Sequence, residues 1–162
     1  MPKDSTATRA AILAAAIHTL QRAGLAGFTL DAVARRAGVV KGLILYHYAS
    51  RNRLLRAAAA QVAAAREGAL ERALASGPGT VGLDACWEEL RRQAEDGTAK
   101  AWFSLAAAGL IDRAASNGGF EHVARAAILD GCAAALASGV ALADARDAYD
   151  ALWLALLEIT EG

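Results

Sequence analysis

The 162-residue sequence is poor in proline, cysteine and aromatic residues. It has only two prolines, Pro2 and Pro78, and no useful stretch of alternating apolar and polar residues, so helices are predicted throughout. The two cysteines, Cys86 and Cys132, lie far apart and fit no metal or redox spacing, which favours reduced thiols. No apolar run reaches the roughly 18–20 residues of a membrane helix. No apolar stretch follows the N-terminal charges, so a secretion signal is not expected.

The net charge of zero conceals an uneven distribution. Residues 1–56 contain nine Lys and Arg against two acidic residues, a balance of +7, and the remaining residues carry −7. A basic segment followed by an acidic one is typical of a protein with one surface for a polyanion. The asymmetry alone does not distinguish DNA, RNA and an anionic membrane, and a chance imbalance of solvated surfaces is the alternative.

Capping residues and helix breakers divide the chain into eight predicted helices. The first is capped by Ser5 or Thr6 and ended by Gly24; the second runs from the N-cap Thr29 through Ala37. The others are predicted at about 40–46, 50–75, 81–95, 98–115, 120–137 and 142–160. The expected fold is all-α, with a three-helix N-terminal head, residues 1–50, and a helical-bundle body, residues 51–162.

The second and third predicted helices have the outline of a helix-turn-helix. Gly38 lies between them and can adopt the positive φ that a tight turn requires. Val33 is apolar and Ala34 is small, as required where two helices cross closely. Val39 and Ile44 are predicted to point back into the core of the head.

The segment from Arg9 to about Leu55 resembles the tetracycline-repressor (TetR) family of bacterial regulators. It reads RAAILAAAIHTLQRAGLAGFTLDAVARRAGVVKG and then YHYASRNRLL, and it follows the family pattern ILxAA…AGVSKGxLYxHFxSK almost without gaps. The resemblance covers roughly a third of the chain. It implies a head that binds double-stranded DNA, a body that binds a small-molecule effector, and a homodimer.

The resemblance also implies which residues contact DNA. Phosphates are held by cations, hydroxyls and helix N-termini, and the matching residues here are Thr29, Lys41, Tyr46, His47, Ser50 and Arg51. Gly42 is the second glycine of the family's AGVSKG. Three positions depart from the family: Val40 replaces a serine, Leu43 a threonine or alanine, and Leu45 a tyrosine.

These three apolar residues allow three interpretations. They line the groove face and contact thymine methyl groups; or the face packs on another protein; or base reading has weakened and affinity comes mainly from phosphates. DNA binding is the favoured interpretation.

Candidate effector-binding residues in the body are Trp87, Trp102, Phe103 and Trp153, with Asp130 as the single charge in the apolar stretch AAILDGCAAALA. Aromatic residues at helical spacing are more often core residues. For Asp130 a solvated position on a helix edge is the simplest account, but a buried carboxylate would need a partner.

The last two helices are predicted to form the dimer interface, because one recognition helix reads too little sequence alone. A dimer would place two such helices one DNA turn, about 34 Å, apart. The interface residues expected are Val123, Ala127, Ala134, Tyr149, Leu152, Leu156 and Ile159.

The sequence thus predicts a cytoplasmic, homodimeric, ligand-responsive regulator that represses transcription from a palindromic operator. The alternative is a TetR-like helical dimer that no longer reads sequence and acts as a protein-interaction or ligand-binding module. No catalytic constellation, metal site or cofactor motif appears, so an enzyme is not expected.

Overall fold

The structure is a computed structural model that describes residues 2–111 and 120–161. These residues form eight α-helices and no β-strand, which confirms the all-α prediction. None of these helices is long and apolar enough to cross a membrane. The helices are α1 (Pro2–Ala23), α2 (Leu30–Ala37), α3 (Lys41–Tyr48), α4 (Arg51–Leu74), α5 (Thr80–Glu95), α6 (Thr98–Ala107), α7 (Phe120–Ala137) and α8 (Leu142–Glu161).

Local capping chemistry sets the helix boundaries around the turn. The hydroxyl of Thr29 accepts a hydrogen bond of 3.1 Å from the backbone N–H of Ala32 and so caps α2. Gly38 ends α2 in the left-handed conformation, with φ of 67°, and its N–H donates to the carbonyl of Ala34. The hydroxyl of Ser50 accepts from the N–H of Arg53 at 3.1 Å, at the start of α4. The three predicted boundary residues are confirmed.

Two predicted boundaries are wrong. α1 begins at Pro2 rather than at Ser5 or Thr6. A proline is tolerated in the first turn because backbone N–H groups there have no intrahelical acceptor, so the missing N–H of proline costs no hydrogen bond. α6 ends at Ala107 rather than near residue 115. Gly109 turns the chain with φ of 68°, and the N–H of Leu110 closes on the carbonyl of Leu105 at 2.9 Å. The breaker predicted at residues 117–119 lies outside the described residues.

The chain separates into two compact units. The head unit comprises Met1–Ala65 and Ala101–Ile111, and the body unit comprises Arg66–Lys100 and Asp112–Gly162. α4 therefore contributes residues to both units. In the head unit α1, α2 and α3 pack on one another around a buried apolar core, together with the first half of α4 and residues of α6. That core includes Ile12, Leu20, Phe28, Val33, Ile44, Leu54, Trp102 and Leu105.

The body unit packs α5 and α8 against α7. Its central side chain is Tyr149, which is fully buried and donates a hydrogen bond of 2.9 Å to the carbonyl of Leu83. The ring centroid of Tyr149 lies 5.4 Å from that of Trp87 and 6.1 Å from that of Trp153. Burial raises the pKa of Tyr149 far above its usual value. The phenol therefore acts as a neutral donor that links α8 to α5.

The turn between α3 and α4 contains a strained alanine. Ala49 has φ of 62° and ψ of −33°, a region that side chains with a Cβ rarely adopt, and the N–H of Ser50 closes a short turn on the carbonyl of Tyr48 at 2.7 Å. Replacement of Ala49 by glycine is expected to raise the free energy of unfolding by about 0.5–1 kcal/mol, because glycine has no Cβ to strain. Urea unfolding measures this change.

Ala60, exposed within α4, provides the matched control. Its replacement by glycine should destabilise the protein by about 1 kcal/mol, since glycine in a helix interior loses backbone entropy. A loss of stability in both variants would show that Ala49 is not strained.

Candidate nucleic-acid interface

α2 and α3 form a helix-turn-helix, and the side chains on their inner faces are buried in the core of the head unit. Val33 and Ile44 are fully buried, Ala34 is nearly so, and Val39 packs half-buried against the same core. The N–H of Val39 donates to the carbonyl of Ala34 at 3.1 Å, which tightens the turn after Gly38. The predicted inward residues are confirmed, and they fix which side of α3 faces outward.

The outward side of α3 is largely apolar. Val40 is 74% exposed, Leu45 40% and Tyr46 80%, whereas Leu43 is half-buried against its surroundings. Gly42 is exposed, and apart from its chain neighbours and the backbone of its own helix no described atom lies within 4 Å of the position that a Cβ there would occupy. Of the residues predicted to meet a DNA groove, Val40, Gly42 and Leu45 are therefore accessible, whereas Leu43 is only partly so.

Lys41 opens α3 and forms a surface ion pair. Its Nζ lies 3.1 Å from a carboxylate oxygen of Asp31 in the first turn of α2, and both side chains are at least half exposed. Exposed pairs of this kind contribute at most about 1 kcal/mol. A phosphate group can therefore replace Asp31 as the partner of Lys41 at little cost. The sequence had assigned Lys41 to DNA without indicating this pairing.

Arg51 is held in place at the N-terminus of α4. Its Nε donates a hydrogen bond of 3.0 Å to the carbonyl of Phe28, and its guanidinium carbon lies 5.4 Å from the centroid of the Phe28 ring. These contacts join α4 to the loop that precedes α2. Arg51 is therefore a half-buried, oriented cation rather than a mobile surface side chain.

Arg9 fastens α1 to the end of α3, a role that sequence reasoning missed. One guanidinium nitrogen donates to the carbonyl of His47 at 2.7 Å, and the guanidinium lies 4.5 Å from the centroid of the Tyr48 ring. In return the Tyr48 hydroxyl donates to the carbonyl of Arg9 at 2.9 Å. Burial raises the pKa of Tyr48, although the nearby Arg9 opposes the shift. The partners are 38 and 39 residues apart, so no local pattern could have indicated them.

His47 takes part in this contact through its backbone, while its ring meets Tyr46 edge-on, with centroids 5.2 Å apart and planes at 79°. Further positive charge lies on α2 and α4. Arg35 and Arg36 are exposed and line an open groove of about 570 Å³ on the head unit. Arg53 and Arg56 are exposed on the first turns of α4. The head unit thus exposes the apolar side chains of Val40 and Leu45, here called the apolar strip, together with several cations.

The five candidate effector residues are not gathered at one place within either unit. Trp102 is buried in the head core, and Phe103 packs half-buried against it. Trp87 and Trp153 belong to the buried aromatic cluster of the body unit around Tyr149. The buried positions of these aromatic residues agree with the alternative interpretation, in which they are core residues.

Asp130 is nearly buried rather than solvated on a helix edge, so that expectation is wrong. Its side chain is 12% exposed and lies 2.9 Å from a guanidinium nitrogen of Arg66, which is 5% exposed. Burial lowers the pKa of Arg66, and Asp130 opposes this shift. The sequence indicated that a buried Asp130 would need a partner but not that α4 supplies it.

Both cysteines are free and buried in the body unit. Burial raises the pKa of the Cys86 thiol to about 11 and also raises that of Cys132. Thiols with raised pKa values are poor nucleophiles, because the thiolate is the reactive form. These surroundings are consistent with the prediction that both cysteines are reduced thiols.

The predicted interface residues divide into two groups. Tyr149 and Leu156 are buried within their own body unit and are not available to a second copy. Leu152 and Ile159 are 46% and 62% exposed, Val123 and Ala127 are also exposed, and Ala134 is half-buried. Two further exposed leucines, Leu154 and Leu157, were not predicted.

Comparison with known proteins agrees with this geometry. Residues 12–58 match the model of the N-terminal domain of the bacterial regulatory proteins of the tetR family. No curated protein matches the chain in sequence.

Solved structures share the fold along nearly the whole chain. A protein assigned as a TetR-family transcriptional regulator from Rhodococcus sp. is 24% identical, with a TM-score of 0.52, over 94% of this chain and 96% of that one. A gamma-butyrolactone receptor, ArpA-like, is 20% identical, with a TM-score of 0.56, over 96% and 88%. A third protein, assigned to the TetR family and from Mesorhizobium loti, is 17% identical, with a TM-score of 0.54, over 96% and 97%. Residues 12–58 are therefore a tetR-family N-terminal domain, in a chain that has the all-helical fold of TetR-type transcriptional regulators.

Proposed function

We propose that this chain is a cytoplasmic transcriptional regulator, a repressor, that binds a palindromic operator as a homodimer and responds to a small-molecule effector. The observation that carries the proposal is a helix-turn-helix whose α3 exposes part of its surface to solvent, in a segment that matches the tetR family. The charge of +7 on residues 1–56 supports a polyanionic partner.

In this proposal the head unit contacts phosphates through cations, hydroxyls and helix starts. Thr29 and Ser50 lie at the starts of α2 and α4, Lys41 at the start of α3, and Arg51 is oriented by Phe28. Tyr46 and His47 supply two further polar side chains of α3. Val40, Gly42, Leu43 and Leu45 line the groove face. These phosphate contacts provide affinity and register, and the groove face provides sequence selectivity.

The proposed homodimer uses the exposed stripes of α7 and α8. On α8, Ala148, Leu152, Ala155 and Ile159 recur at intervals of three and four residues and are exposed, so they share one face. On α7, Gly131 is exposed, and apart from its chain neighbours and the backbone of its own helix no described atom lies within 4 Å of the position of a Cβ there. Glycine within a helix lowers stability unless a close approach requires it, and a second copy would provide that approach. Two copies would then present two α3 helices to one palindrome.

The effector is proposed to bind within residues 51–162 and to act through α4, which contributes residues to both units. Any effector can shift the DNA-binding equilibrium only by its differential affinity for the two states of the dimer. The operator affinity, measured with and without the bound effector, gives the direction and the size of this shift.

Selection of duplex fragments by the purified protein tests the proposal. We expect enrichment of a palindromic site whose binding weakens steeply with salt, because each neutralised phosphate releases counterions. Lys41→Ala should lower affinity on every sequence and flatten the logarithmic salt slope by about 0.9.

Lys100, exposed in the body unit, is the matched control, and Lys100→Ala should leave the slope unchanged. Failure to enrich any sequence, with binding lost from all fragments by about 0.15 M salt, would support the alternative of a TetR-like module that does not read sequence.

A further inference from the structure

α3 carries few of the groups that read bases by hydrogen bonding. Its sequence, KGLILYHY, contains no Arg, Asn, Gln, Asp or Glu, the residue types that pair with base edges in the major groove along with lysine. The one lysine, Lys41, is the first residue of α3, and the proposed function assigns it to a phosphate rather than to a base edge. His47 is half-buried, and of the α3 side chains Tyr46 is the polar one most exposed. Hydrogen-bond readout from this helix is therefore sparse.

Val40 is unfavourable for the isolated protein in two respects. It is the N-cap of α3, with φ of −77° and ψ of 147°, and it makes no side-chain capping hydrogen bond. Serine, threonine, aspartate or asparagine would satisfy a backbone N–H there, whereas valine is among the poorest N-cap residues. Val40 is also 74% exposed, so its apolar surface is mostly in water. Neither property stabilises the fold, which points to a contact outside the chain.

We infer that Val40 and Leu45 recognise the 5-methyl groups of thymines in the major groove of each operator half-site. The thymine methyl is the apolar feature that distinguishes base pairs in that groove. Recognition-helix residues near the N-terminus contact base edges in helix-turn-helix proteins, which suits the position of Val40. The surrounding cations supply the affinity, so the apolar strip can supply selectivity. The inference rests on the proposed function, because it concerns how the same surface reads DNA.

Deoxyuridine substitution tests the inference directly, since deoxyuridine differs from thymidine only by that methyl group. Each thymine of the selected site is replaced in turn, and affinity is measured at fixed salt. Binding is expected to weaken about fourfold at each contacted thymine, the effect of one buried methyl group. A protein that selects a site but binds its deoxyuridine form equally well overturns the inference and leaves the proposed function intact. A protein that selects no sequence overturns both, and a protein partner for the strip would then account for its exposure.

Val40→Ser separates this role from a structural one. Serine caps α3, so the melting temperature should rise, while the difference in affinity between thymine and deoxyuridine should disappear at one position. Leu45→Ala should remove the difference at another position. Val81, an exposed valine in the body unit, is the control, and Val81→Ser should retain the full discrimination. If Val40→Ser keeps the wild-type preference for thymine at every position, Val40 does not read the methyl group.

Discussion

Replacement of Asp130 by alanine is expected to lower the free energy of unfolding by about 3–5 kcal/mol. Asp130 and Arg66 form a nearly buried ion pair with an N–O distance of 2.9 Å. Removal of the carboxylate leaves a guanidinium in the interior without its counter-ion, and the desolvation of that charge is no longer offset. Unfolding in urea, followed by circular dichroism, measures the change.

The surface pair between Asp84 and Arg146 supplies the control within the same unit. Asp84 is more than half exposed, so Asp84→Ala should lower stability by no more than about 1 kcal/mol. A double variant, Arg66→Met with Asp130→Leu, should regain most of the stability, because apolar residues replace both buried charges. Equal losses of stability in Asp130→Ala and Asp84→Ala would show that the buried pair contributes no more to stability than the surface pair.

The double variant Leu152→Glu, Ile159→Glu is expected to convert the proposed dimer to a monomer and to weaken operator binding by about 10²–10⁴-fold. Both side chains are substantially exposed on one face of α8, and two glutamates per copy would place like charges against each other across a two-fold axis. The loss in affinity follows because a monomer gives up the avidity of two linked recognition helices. Sedimentation and operator titration measure the two effects.

Leu154→Glu is the matched control on the same helix. Leu154 is 62% exposed but lies two residues from Leu152, a rotation of about 200° around a helix axis. Its substitution should change neither the oligomeric state nor DNA binding. A dimer that survives the double variant, or one that Leu154→Glu dissociates, would place the interface elsewhere.

Features with local causes could be predicted from the sequence. Thr29, Gly38 and Ser50 each satisfy or redirect the backbone within a few residues, so their types alone indicated the turns. The family pattern then predicted DNA-contacting residues at the start of α3 and along it, and two of these, Val40 and Tyr46, are strongly exposed.

Features with distant causes could not be predicted in the same way. Arg9 meets His47 and Tyr48 across the head, and Arg66 meets Asp130 across 64 residues of chain, for which the sequence holds no local signal. The apolar pattern of α8 also permits more than one buried face. Packing against α7 and α5 selected the face of Tyr149 and Leu156, and the sequence alone could not make that selection.

The order of the head core along the chain has a consequence for synthesis on the ribosome. Trp102 and Leu105 belong to this core, although the intervening residues 66–100 belong to the body unit. At about 5–20 residues per second, several seconds separate the emergence of the first part of the head from that of its last. During this interval the nascent helix-turn-helix lacks two large apolar side chains of its core. A nascent chain therefore completes the apolar core of its helix-turn-helix head only after residues 66–100 of the body unit have been translated.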